Sequence, residues 1–141
     1  MADYFLDTNA CIALINGTSP EVRERFRRAD AEGSSISVST VVLYELWHGV
    51  EKSARREFNT ERLETFLSGP FEIVDFDPDD ARVAGAVRAD LEGSGQPIGA
   101  YDVLIASQAK RRGATLVSSN ISEFSRVHEL LVEDWSLPAP E

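Results

Sequence analysis

The chain has 141 residues, 43% of them hydrophobic, so it can bury the core of one domain over residues 1–141, and disorder is not expected. Its formal charge of −10 argues against a basic nucleic-acid-binding surface, and its single cysteine, Cys11, excludes an intramolecular disulfide framework and a cysteine-based zinc site. No apolar run reaches the roughly 20 residues that span a bilayer, and the N-terminus lacks signal-peptide features, so we expect no membrane association and a cytoplasmic location.

Short β-type runs alternate with segments of helical periodicity along the chain. The elements predicted, in chain order, are a strand at 4–6, a helix at 20–28, a strand at 36–38, helices at 40–49 and 56–67, a strand at 71–74, helices at 78–93 and 101–112, a strand at 115–117 and a weaker strand at 130–132. This alternation predicts an α/β domain with a mainly parallel central sheet of four to five strands. Ligands of such sheets bind beyond the carboxyl ends of the strands.

Asp7 directly follows the first predicted strand and is therefore placed at the carboxyl edge. Two interpretations of it remain open, an N-cap of the next helix or a carboxylate of a functional site. The next two residues, Thr8 and Asn9, add polar groups that could orient the carboxylate or cap the same helix.

Glu45 lies in the middle of the predicted helix 40–49, where its neighbours are nearly all apolar. Burying an ionised carboxylate is costly unless it is paired or binds a metal, which favours a functional role. The alternative is a narrow polar stripe on the surface, shared with Ser39 and His48, which flank Glu45 at helical distances.

Three more polar side chains are predicted at the same edge of the sheet. Asp102 lies in the first turn of a helix, where the helix dipole favours an acid whatever its function. Asn120 and Glu123 follow the fourth predicted strand. Because the carboxyl ends of parallel strands share one edge, these groups should converge with Asp7 and Glu45.

A cluster of hard oxygen ligands suits Mg²⁺ or Mn²⁺, and carboxylates gathered at one point repel each other unless a cation is present. A metal there would activate a water and stabilise charge on a phosphodiester. Bound cations and local basic clusters at 23–28, 52–56 and 110–112 would reconcile the acidic chain with a nucleic-acid substrate, although such clusters are usually solvated helix faces. His48 and His128 have no serine or cysteine partner at a strand end, so histidine chemistry is a weaker alternative.

Five stretches of the chain combine the acids with their flanking residues: 5–9 (FLDTN), 39–49 (STVVLYELWHG), 98–106 (IGAYDVLIA), 116–124 (LVSSNISEF) and 132–135 (VEDW). Together they resemble the PIN-domain nucleases, and more narrowly the VapC toxins of bacterial VapBC toxin–antitoxin pairs. Each stretch alone is a weak signal, but all of them occur in the family's order and span nearly the whole chain.

The resemblance implies a three-layer α/β/α fold with Asp7, Glu45 and Asp102 as the acidic site for Mg²⁺ or Mn²⁺. It implies an endoribonuclease, commonly acting on tRNA, in the form of a homodimer. A cognate VapB-type antitoxin would hold this toxin inactive, and their larger complex could bind operator DNA through the antitoxin.

The resemblance also gives supporting roles to the polar residues Thr8, Asn9 and Ser39. The chain departs from the family at one position, since many PIN domains carry aspartate where this chain has Asn120. A neutral amide supplies no charge, so Glu123 is a candidate for part of that role, and the number of metals stays open.

Two other functions compete with a ribonuclease. A non-catalytic PIN module that binds RNA or protein has no need of the acidic trio, which is intact. A phospho-acceptor signalling domain also gathers acids and Mg²⁺, but it requires a lysine after a late strand, where this chain has Ser-Ser-Asn at 118–120. We therefore expect hydrolysis by a metal-activated water, which leaves 5′-phosphate and 3′-hydroxyl ends.

Overall fold

A computed structural model describes residues 2–138, and within them five strands form a single sheet. The strands are β1 (Asp3–Leu6), β2 (Ser35–Ser39), β3 (Glu72–Val74), β4 (Thr115–Val117) and β5 (Leu131–Glu133). Their spatial order is β3-β2-β1-β4-β5, and all four neighbouring pairs are parallel.

Helices connect the strands and cover both faces of the sheet, which confirms the expected three-layer α/β/α fold. They are α1 (Thr8–Asn16), α2 (Pro20–Ala31), α3 (Thr40–Glu51), α4 (Arg56–Leu67), α5 (Pro78–Gly93), α6 (Ala100–Arg111) and the single turn α7 (Ile121–Phe124). Within the described part of the chain, none of these helices combines the length and apolar character needed to cross a bilayer.

The helix ends follow local chemistry. Ser19 and Asp77 accept hydrogen bonds from Val22 N–H and Asp80 N–H, and each is followed by a proline in the first helical turn, as the sequence predicts. The helix α1 ends at Gly17, whose φ of 63° is the left-handed conformation that glycine adopts without strain.

The core lies between the sheet and the two helical layers. All three residues of β4 are buried, as are the last two of β1, which is the pattern of strands covered on both faces. Trp135 and Phe124, both nearly inaccessible to solvent, close the core at the C-terminal side. Cys11 is a buried free thiol in this core.

At the central strand β1, the direction in which the chain adds strands to the sheet reverses. The chain extends from β1 through β2 to β3 on one side, and later returns to place β4 and β5 on the other. In parallel α/β sheets a crevice opens at such a switch point, beyond the carboxyl ends of the two flanking strands. Here those strands are β1 and β4, which are followed by Asp7 and Ser118.

Candidate active site

Asp7 is buried at the end of β1, with 5% of its surface exposed. Its Oδ1 accepts a hydrogen bond from Ala10 N–H at 2.8 Å, so it does cap α1. Burial raises the pKa of Asp7, hydrogen bonds from Ser118 and Ala10 oppose the rise, and the charges of Glu45 and Asp134 add to it. Capping uses one carboxylate oxygen, and no cationic side chain in the described part of the chain pairs with this buried group.

Glu45 extends from α3 towards α1, where Thr8 Oγ1 donates a hydrogen bond to its Oε1 at 2.7 Å. This contact joins two residues that the sequence predicted to lie at one site. The alternative surface stripe does not include Ser39, which is 1% exposed and accepts a hydrogen bond from Val41 N–H to cap α3. Glu45 itself is half-buried.

Asp102 lies in the first turn of α6 and is half-buried. Its carboxylate lies against Gly99, because a Cβ at position 99 would be only 3.2 Å from Asp102 Oδ2. Burial, followed by the charges of Glu45, Glu123 and Asp7, raises the pKa of Asp102 to about 6. The carboxylates thus lie close enough to repel each other.

Asn120 and Glu123 form one unit at the end of β4. Asn120 Nδ2 donates to Glu123 Oε2 at 3.1 Å, and Asn120 N–H donates to Ser118 Oγ at 3.0 Å. The amide therefore positions the Glu123 carboxylate, and the charge of this carboxylate raises the pKa of Asp102.

No ion pair among residues 2–138 neutralises these carboxylates. The ion pairs between residues 2–138 all lie elsewhere and include neither Asp7, Glu45, Asp102 nor Glu123. As the side chains stand, no three His, Cys, Asp or Glu residues of the described chain enclose a single ion. Repulsion keeps unneutralised carboxylates apart. The donor set, oxygen atoms with excess negative charge, fits a hard divalent cation.

Sequence reasoning placed Ser118 at this edge without giving it a role, and it did not single out Asp134. Ser118 follows β4 and hydrogen-bonds to Asp7, and Asp134 follows β5 and acts on Asp7 through its charge. The rule that placed Asp7 after a strand would also have singled out both. Asn9, expected to support the acids, is exposed, and within residues 2–138 no hydrogen bond joins it to them.

A groove of about 300 Å³ begins at Glu45 and runs between α1, α3 and α4. Ile12, Leu46 and Leu63 form its apolar walls, and Arg62 lies in its lining. A larger cavity of about 610 Å³ lies away from the acidic trio, between α2 and the chain after β5. The smaller groove includes Glu45, one of the acidic trio, in its lining.

A family model described as "PIN domain" matches residues 4–130. The chain is 38% identical to the tRNA(fMet)-specific endonuclease VapC of Salmonella typhimurium, over 96% of this chain and 99% of that protein. It is 42% identical to ribonuclease VapC2 of Rickettsia felis, over 94% and 97% of the two chains.

Solved structures give the same picture. A chain of the Rickettsia felis VapBC2 structure, bound to a DNA fragment from its promoter, superposes with a TM-score of 0.88 at 40% identity, covering 94% of this chain and 98% of that one. A chain of the DNA-bound VapBC structure from Salmonella typhimurium superposes with a TM-score of 0.87 at 38% identity, covering 96% and 99%.

Proposed function

This chain belongs to the PIN-domain family, and from that premise we propose that residues 1–141 form one domain acting as the endoribonuclease toxin of a type II toxin–antitoxin pair. The observation that carries this function is the uncompensated acidic cluster at the switch point of the sheet. The substrate is RNA, and we propose tRNA, because relatives of near-equal length are named as VapC ribonucleases and one as a tRNA endonuclease.

We propose that Asp7, Glu45 and Asp102 hold Mg²⁺ or Mn²⁺, with Asn120 and Glu123 as a possible fourth position. Support comes from their oxygen chemistry and from the raised pKa of Asp102. When bound, the cation supplies a water of lowered pKa and a positive charge for the phosphodiester oxygen.

The chain's own residues fix the carboxylates in place. Ala10 N–H holds Asp7, and Thr8 Oγ1 holds Glu45. Such hydrogen bonds limit the rotation of ligand side chains, so less ordering is needed when the site closes. Because water is the attacking group, the 2′-hydroxyl takes no part, and cleavage leaves a 5′-phosphate and a 3′-hydroxyl.

The partner that we propose is a cognate VapB-type antitoxin. Two similar structures are VapBC complexes bound to DNA, so we propose a homodimer of this chain within a larger complex that binds operator DNA through the antitoxin. An antitoxin segment seated in the groove that starts at Glu45 would cover this carboxylate and exclude RNA.

The test is to map RNA ends after brief induction of wild type, Asp7→Asn and a control, Asp30→Asn, which changes an exposed acid on α2. Asparagine is also a good N-cap, so Asp7→Asn keeps α1 while removing the charge, and we expect cleavage to fall at least 100-fold. Wild type and Asp30→Asn should give the same 5′-phosphate ends.

Three outcomes would contradict the proposal. They are cleavage by Asp7→Asn at the wild-type rate, full activity of the purified protein in excess EDTA, and products with 2′,3′-cyclic phosphate ends. Circular dichroism on the same preparations establishes that Asp7→Asn is folded.

A further inference from the structure

Two exposed tyrosines flank the acidic cluster, each directly preceding one of its carboxylates in the chain. Tyr44 precedes Glu45 on α3, and Tyr101 precedes Asp102 on α6. Their hydroxyl oxygens are hydrogen-bonded at 3.3 Å, and their ring centroids are 5.5 Å apart with 54° between the planes. The pair therefore bridges two helices beside the acids.

The rings are not part of the core. Tyr44 is 54% exposed and Tyr101 is 46% exposed, which is unusual for large aromatic side chains held by a defined contact. Ring faces in this position are available to a ligand that reaches the carboxylates. The hydrogen bond with Tyr44 is the main cause of the raised pKa of the Tyr101 hydroxyl. The charge of Glu45 adds a smaller increase, so Tyr101 lies near that carboxylate.

The exposed face of α3 continues away from Tyr44 with residues suited to a polyanion. His48 and Lys52 follow at four-residue intervals and are exposed. The rings of Tyr44 and His48 are nearly parallel, with 9° between their planes and centroids 6.4 Å apart. Glu51, the acid on this stretch, is paired with Arg56 at 3.5 Å.

A chain with a net charge of −10 attracts RNA poorly by overall electrostatics. Beside a cluster of carboxylates, uncharged contacts are needed to hold a nucleotide. Aromatic rings meet this need, because stacking on a base is favourable for every base and requires no positive charge.

We propose that Tyr44 and Tyr101 form a base-stacking platform that holds an unpaired RNA base next to the phosphodiester to be cut. His48 and Lys52 then lie along the path of the adjoining strand. This assignment rests on the proposed ribonuclease function. It makes the two tyrosines determinants of substrate choice, since only an RNA base that is not paired within a double helix can stack on the rings.

Binding is tested in the uncleaving Asp7→Asn background with a short single-stranded RNA that carries 2-aminopurine, whose fluorescence is quenched on stacking. We expect quenching on binding, and we expect Tyr44→Ala or Tyr101→Ala to abolish it and weaken binding about 10- to 100-fold. Tyr44→Phe and Tyr101→Phe keep the rings and should behave as the parent. The proposal is overturned if the alanine variants bind and quench like the parent, or if the parent shows no quenching.

A second measurement separates stacking from a structural effect. This measurement uses proteins that retain Asp7. On an RNA with an abasic nucleotide in place of the stacked base, wild type, Tyr44→Ala and Tyr101→Ala should have equal kcat/KM for cleavage. A difference that persists on the abasic substrate overturns the proposal. So does a change of oligomeric state in the alanine variants by sedimentation, which would make the pair a contact between copies of the chain. Loss of cleavage by the wild type would instead defeat the underlying ribonuclease function.

Discussion

The carboxyl group of Asp102 combines partial burial with three acidic neighbours, and its pKa of about 6 lies well above the ordinary value of 3.8. Between these two pH values the folded protein binds a proton that the unfolded chain releases. The stability contributed by this group is therefore fully present below about pH 4 and is lost as pH rises through about 6. The cation that we propose at this site would supply the missing attraction and reverse the loss.

Asp102→Asn should accordingly stabilise the metal-free protein at pH 7 but not at pH 4. We expect its Tm in EDTA to exceed that of wild type by on the order of a few °C at pH 7. Adding Mg²⁺ or Mn²⁺ should raise the Tm of wild type and leave the variant unchanged. Calorimetry at the two pH values checks this, and a lower Tm for the variant at pH 7 in EDTA would contradict it.

The hydroxyl of Thr8 donates a hydrogen bond to Glu45 Oε1 and so orients that carboxylate. Thr8→Val keeps the shape of the side chain and removes the donor, so we expect kcat/KM for RNA to fall about 10- to 100-fold with the Tm nearly unchanged. Thr8→Ser restores a hydroxyl and is the matched control, expected near the wild-type rate. Equal rates for Thr8→Val and wild type would show that Glu45 needs no such orientation.

At the scale of elements, the N-terminus of α5 is tied to the C-terminus of α6 by buried charge. Arg111 Nε donates to Asp80 Oδ1 at 2.7 Å, and Arg112 Nη2 donates to Oδ2 at 3.1 Å. Asp80 also accepts from Asp77 N–H in a reciprocal cap. Burial alone would raise the pKa of Asp80, but the hydrogen bonds from Asp77 and the two arginines hold it below its usual value.

Removing this carboxylate should loosen both helices at once. We expect Asp80→Ala to lower the free energy of unfolding by about 2–3 kcal/mol, because the acceptor of the Asp77 N–H bond and two ion pairs are lost and the arginines keep only Asp77. Asp79→Ala, which changes an exposed acid in the same turn, should stay within about 0.5 kcal/mol of wild type. Urea denaturation of the two variants measures the difference, and equal midpoints would show that the ion pairs contribute nothing.

The sequence predicted the longer elements well because their signals are local. Ser19-Pro20 and Asp77-Pro78 mark two helix starts, and Gly113 ends α6 with a φ of 65°. The single turn α7 was not predicted, since it is too short for a periodic pattern. In α1, residues 10–15 are all apolar, so the sequence lacks the periodic change between apolar and polar positions that predicts an amphipathic helix.

At the scale of the whole molecule, the order of strands is what sequence reasoning could not supply. Alternating strands and helices fit several sheet orders, and the choice depends on long-range packing. The hydrogen bond of Ser118 to Asp7, the effect of the Asp134 charge on Asp7 and the contact of Tyr44 with Tyr101 follow from that order and from side-chain directions. The acidic trio was predicted from its place at the carboxyl edge of the sheet and from the family resemblance, and its role as a metal site stays a prediction.

Strand β1 pairs with β4, and Tyr4 lies opposite Thr115. This pairing between distant parts of the chain affects when the protein can fold during its synthesis on the ribosome. A growing chain cannot bring Asp7 to its neighbour Ser118 until the ribosome has added residue 118. At roughly 5–20 residues per second, this takes on the order of 6–24 seconds, during which the nascent toxin has no assembled site. Its own translation is therefore almost finished before the chain can cut RNA.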